Sequence, residues 1–162
     1  MTNERKVVFA GFDHIDSRVR DLAAARRFYD LLMPELGLTE TVEIENGIEY
    51  YEPYRPGQAR RFFGLNEDRE HRANATRISF AADTPADVDR LALVIARAGA
   101  KTIEGPEIPY SSEKYYAVFF EDPSGNRLEI AYRRSHDDAV AIRLERDDAR
   151  AVIEAKDAFR AV

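Results

Sequence analysis

Three ionisable side chains stand at alternate positions early in the chain: His14, Asp16 and Arg18. If this stretch is a strand, its two-residue period puts all three on one face. There an imidazole and a carboxylate can hold a proton or a cation, and a guanidinium can hold an anion. An offset of 63 positions lays Arg77 on His14 and Thr84 on Asp21. Arg77 then shares a face with Ser79, and further on Arg127 shares one with Glu129. The residues that could do chemistry therefore come in two sets, and strands are needed to aim both.

The elements around them repeat in the same order. Residues 6–19 carry Val7, Val8, Phe9, Phe12, Ile15 and Val19 and read as a strand. Asp21 can cap the helix that follows, since its carboxylate can accept the free N–H groups of the first turn. Leu22, Ala25, Phe28, Tyr29, Leu32 and Leu36 recur at helical spacing, Pro34 distorts the last turn, and Gly37 stops it. Short strands over 39–44 and 48–52 flank Asn46-Gly47, a strong hairpin signal. Residues 60–65 read as another strand, and 66–75 as a polar connection.

In the second half, 77–82 reads as a strand. Thr84-Pro85-Ala86-Asp87 supplies a cap, a first-turn proline and an early acid. Val88, Leu91, Ala92, Ile95 and Ala98 form the apolar stripe of the next helix. A short strand over 101–103, a loop over 105–114, a strand over 115–121, a turn over 122–126 and a closing strand over 127–132 complete the half. Each half thus reads β-α-β-β-β. The pattern predicts an α+β fold with two modules, 6–66 and 75–132, in a single domain spanning 6–132. Residues 133–162 form a helical extension outside the repeat.

Bulk composition narrows the function classes. The 162 residues are 44% hydrophobic, with nine Phe and eight Tyr but no Trp, which is enough for one real core. The net charge of −6 argues against nucleic acid, since phosphate binding wants a basic surface. With no cysteine, disulfides, zinc–thiolate sites and cysteine nucleophiles are excluded. No apolar run approaches the ~20 residues that span a bilayer, so no membrane partner is expected. The charged start does not read as a signal peptide, and the expected location is cytoplasmic.

The run Phe119-Phe120-Glu121-Asp122-Pro123-Ser124-Gly125-Asn126-Arg127-Leu128-Glu129-Ile130 resembles the vicinal oxygen chelate superfamily. That is the group of glyoxalase I, bleomycin-resistance proteins and extradiol dioxygenases. His14-Ile15, Asp21-Leu22, Phe28-Tyr29 and Leu36-Gly37 agree with it. The resemblance implies paired βαβββ modules whose mixed sheets curl around a cavity, often in a homodimer. It further implies a metal site fed by the first and last strands of each module.

Carried over by position, the resemblance makes His14 and Glu129 the catalytic pair and the metal ligands, for Zn, Ni, Mn or Fe. Arg77 falls where metal-binding members often have His, and residues 62–65 offer no carboxylate. A guanidinium repels a cation, so a metal-free cavity is favoured over a metal-dependent lyase or dioxygenase. His71 is a loop candidate for completing a metal shell. Arg77 is free to pair with Glu129 or to hold a small anionic molecule, as in a glyoxalase-like enzyme or a drug-sequestering protein. Arg18 matches a substrate-carboxylate arginine by its spacing from His14. Asp16, Ser79 and Arg127 share the faces of the pair, and Tyr110, Tyr115 and Tyr116 could wall an organic ligand. Against these stand plainer readings: a structural Arg77–Glu129 ion pair and tyrosines that merely edge the core.

Overall fold

A computed structural model describes residues 11–108 and 115–133. The chain runs β1 (His14–Val19), α1 (Leu22–Leu32), β2 (Glu40–Ile44), β3 (Gly47–Tyr51), β4 (Phe62–Glu67), then β5 (Arg77–Ala81), α2 (Pro85–Ala98), β6 (Lys101–Glu107), β7 (Tyr115–Glu121) and β8 (Arg127–Arg133). The expected strand residues before Gly11, the side chain of Tyr110 and the helical extension beyond Arg133 lie outside the described residues.

Local chemistry sets the element ends. Asp21 Oδ1 accepts from the Ala24 amide at 2.9 Å, and Thr84 Oγ1 accepts from the Asp87 amide at 3.1 Å. Both are N-caps, each contributing about 1 kcal/mol. Pro34 cannot continue α1 and opens a one-turn 3-10 segment, Pro34–Leu36. Gly37 and Gly99 close the two helical segments with φ of 85° and 88°, a conformation that favours glycine. β6 continues through Gly105-Pro106 with two register shifts, four residues past the expected strand end. Bulges let an edge strand carry the proline there.

Each module makes one four-stranded mixed sheet, in the orders β1-β4-β3-β2 and β5-β8-β7-β6. β1 pairs with β4 and β5 with β8 in parallel, and the remaining pairs are antiparallel. The two sheets do not close on each other. One face of each packs with α1 and α2 into a common core. Phe28 meets Phe120 at 6.2 Å between ring centroids, Tyr29 meets Phe63 at 5.5 Å, and Phe63 meets Phe80 at 5.6 Å. Burying each such side chain contributes about 1.5–3 kcal/mol.

The modules are also joined through the β7–β8 turn. Asp122, fully buried, accepts from the Tyr29 hydroxyl at 2.9 Å and from the amides of Ser124 and Asn126 at 2.8 and 2.9 Å. Ser124 Oγ accepts from the Arg20 amide at 3.0 Å, and Asn126 Nδ2 donates to the Arg18 carbonyl at 2.9 Å. The Asp-Pro-Ser-Gly-Asn run is thus a structural clasp. No helix among the described residues is long and apolar enough to cross a membrane.

Candidate functional site

The faces turned away from the helices carry the predicted site residues. On β1 the burial alternates, with His14, Asp16 and Arg18 exposed and Ser17 and Val19 buried. Registers then place Phe62, Gly64 and Asn66 of β4 beside those three. The His14 ring stacks on Phe62 at 4.6 Å and 3°. Its Nδ1 lies 2.8 Å from Asp13 Oδ2, and its Nε2 lies 4.0 Å from Asp16 Oδ2. The Asp13 hydrogen bond, helped by the charges of Asp16 and Glu49 and opposed by desolvation, raises the imidazole pKa above its usual value. Gly64 leaves a hollow that Asp16 fills: a Cβ at Gly64 would collide with Asp16 Oδ1. A carboxylate therefore does occupy the place over β4 where the sequence offers none.

The matching face of module two is built differently. Register pairs Arg77 with Arg127 and Ser79 with Glu129. Glu129 is only 5% exposed, and its Oε1 has no hydrogen-bond partner among the described residues. Burial raises its pKa, against the pull of Arg77, the Ser79 side chain and Arg133. Around it, Tyr115, Ala117, Phe119 and Ala131 make a buried apolar cluster. Arg77 lies over the Phe119 ring at 4.6 Å and Arg133 over the Tyr115 ring at 4.2 Å. The carboxyl thus sits in an apolar patch with an aromatic-stacked guanidinium on either side.

Several expectations fare differently. Arg77 and Glu129 do not form an ion pair within 4.0 Å; the register sets them two residues apart, and the guanidinium stacks on Phe119 instead. Tyr116 faces the helices, where its hydroxyl donates to Asp89 Oδ1 at 2.7 Å; its neighbour Tyr115 takes the site face, as strand alternation requires. His71 is held by Asn126, with Nε2 2.8 Å from Oδ1, and belongs to the clasp. Arg127 is exposed at the start of β8, beside Arg77. Asp13, Glu49, Phe62, Phe119 and Arg133 escaped sequence reasoning. Only Arg133 carried a signal, by alternating with Glu129.

The two sets meet only at Ser79 among the described residues. His14 lines a cleft of about 330 Å³ together with Phe12, Phe62, Ser79 and Ala81. It therefore lies near the end of β5, whereas Arg18, at the other end of β1, is tied to Asn126 beside the start of β8. Neither Arg77 nor Glu129 is among the residues that line the His14 cleft. The charges acting on His14 come from module one and those acting on Glu129 from module two. No three His, Asp or Glu side chains converge as metal ligands among the described residues.

Comparison with known proteins agrees with this architecture. The uncharacterized protein YqjT of Bacillus subtilis is 28% identical over 121 residues, covering 72% of this chain and 94% of the relative. A glyoxalase/bleomycin resistance protein from Albidiferax ferrireducens is 27% identical in its crystal structure, with a TM-score of 0.58 over 75% of this chain and 98% of that one. A mutant fosfomycin resistance protein from Listeria monocytogenes, crystallised with Mn(II) and a dihydroxypropylphosphonic acid, is 18% identical. Its TM-score is 0.56 over 82% of this chain and 97% of that one, a likeness of fold alone. Residues 11–130, which take in parts of both modules, match one family, and the chain belongs to the Glyoxalase/Bleomycin resistance protein/Dioxygenase superfamily.

Proposed function

We propose that the protein takes a small anionic organic molecule at the open faces of its modules and handles it with charged side chains rather than a divalent cation. The buried Glu129 carboxyl carries this reading: one oxygen lacks a partner among the described residues, and Arg77 and Arg133 stand on aromatic rings beside it. A desolvated carboxyl with a raised pKa is equipped to exchange a proton with a ligand. The two guanidinium groups supply the attraction for an anion. His14, tethered by Asp13 through Nδ1, presents Nε2 as a second proton-transfer group. Arg18, Asp16, Ser79 and Arg127 line the same faces and would orient the ligand.

The donor set does not fit a divalent ion. Arg77 adds a fixed positive charge next to Glu129, and Glu129 does not line the cleft that holds the imidazole. A homodimer is the natural working state, because a second copy can lay its Glu129 face against the His14 face of the first.

The test is a thermal-shift screen of small carboxylates and phosphonates, followed by calorimetry. A true ligand at a hundred times its dissociation constant stabilises the fold by about 2.7 kcal/mol. Loss of that shift in Glu129→Gln supports the site, and an unchanged shift overturns it. Mixing His14→Ala with Glu129→Gln chains should restore part of the binding if the site is shared between copies. Stoichiometric uptake of Zn, Ni, Mn or Fe(II), abolished by His14→Ala, would replace this reading with a metal-dependent one.

A further inference from the structure

The connection between β3 and β4 folds over a second pocket of about 400 Å³. Its walls include Leu36, Gly37, Glu52, Arg55, Gln58 and Arg61. Leu36, Glu52 and Arg61 also line the cleft that holds His14, so the two spaces adjoin. The charges in the pocket are not equivalent. Glu52 is engaged at the neck of the connection, where it accepts from the Arg61 amide at 3.1 Å and faces the Arg61 guanidinium at 4.0 Å. Arg60, also on the wall, pairs with Glu40 and lies over the Tyr51 ring at 4.6 Å. Arg55 has no acidic partner within 4.0 Å among the described residues, and the Gln58 amide stands on the same wall.

We infer that this pocket is an anion subsite, in which Arg55, with Arg61 and Gln58, holds the acidic arm of the molecule whose reacting end lies at His14. A guanidinium fork offers parallel donors that match a carboxylate or a phosphate, and a side-chain amide adds a neutral donor. The ligand is thus a two-ended molecule: a reacting group for the cleft, and a carboxylate or phosphate for the loop pocket. The inference rests on the proposed reading in which His14 serves as a proton-transfer group for a small anionic molecule, but its test is separate.

The full-length, uniformly labelled protein is titrated with inorganic phosphate and, in parallel, with malonate, at constant ionic strength. Amide shifts are followed by NMR. The expected result is saturable movement of the Gly37 and Gln58 amides with one probe or both, the tighter one naming the arm. Arg55→Ala should weaken that response at least tenfold, Arg55→Lys less, and Glu129→Gln should leave it in place. Absence of saturation at those amides in the unmodified chain overturns the subsite, and so does an Arg55→Ala affinity within twofold of it. If Glu129→Gln alone abolishes ligand stabilisation while phosphate still saturates the loop, both readings stand. If phosphate saturates the loop and Glu129→Gln changes nothing in ligand stabilisation, the subsite stands and the reading of Glu129 falls.

Discussion

Module one and module two share strand order, parallel first-to-last pairing and helix caps, yet they place their carboxyl groups on opposite strands. In module one the acid is Asp16, on the first strand, and it leans into the hollow over Gly64 of the last. In module two the acid is Glu129, on the last strand, and its partner on the first is the small Ser79. The surroundings differ as well. Asp16 stands half exposed beside a histidine, whereas Glu129 is buried among aromatic and alanine side chains. The same backbone thus yields one acid open to water and one held toward its neutral form by desolvation. Topology was duplicated, and chemistry was not.

The comparison presumes that the modules form one cooperative body, and the clasp is where to break it. Asp122→Ala strands the buried Tyr29 hydroxyl and two turn amides, and should cost on the order of 3–5 kcal/mol in urea unfolding. A single weakened transition is expected, and two separate transitions would mean the modules fold independently.

Glu129→Gln against Asp16→Asn tests the contrast in burial. A carboxyl whose pKa is raised on folding favours the native state at low pH, and that advantage is lost as pH rises through the folded pKa. Glu129→Gln should therefore leave thermal stability near pH 4 almost unchanged and raise it at pH 8, by about 2–4 °C for each kcal/mol gained. Asp16→Asn, at a half-exposed carboxyl, is the paired comparison in the same melting curves.

Arg77→Met keeps contact with Phe119 but removes the opposing charge. The Glu129 pKa should then climb further, as read by carboxyl carbon NMR. The smallest effect is expected from Gly64→Ala. The new methyl displaces the end of a flexible side chain, so stability should change by less than about 1 kcal/mol. The displaced Asp16 would nonetheless relieve a minor part of the upward pull on the His14 pKa, with the Asp13 hydrogen bond still in place, visible in an imidazole titration.

What could be read beforehand follows from how local each feature is. The caps at Asp21 and Thr84 and the glycine stops at Gly37 and Gly99 depend on a few neighbouring residues, so they were legible, as was the doubled strand–helix order. The faces of His14 and Glu129 followed from the two-residue period. Register, in contrast, is a tertiary fact. Without knowing that Arg77 faces Arg127 and Phe119 faces Glu129, the guanidinium could not be assigned to a ring rather than to the acid. The Asp16–Gly64 arrangement was invisible for a related reason, since a hollow is defined by a missing side chain on a neighbouring strand. Tyr116 was a failure of alternation: two adjacent tyrosines cannot both face one site.

The clasp at Asp122 has a consequence for redesign. The joint between halves is made at a turn, a helix and the inner core, so the outward strand positions are spared that duty. Residues such as Arg18, Arg77 and Arg127 can be exchanged as a combinatorial library, with the scaffold held constant by a turn that none of them contributes a side chain to. A new specificity would then be a matter of repainting two walls of a standing house.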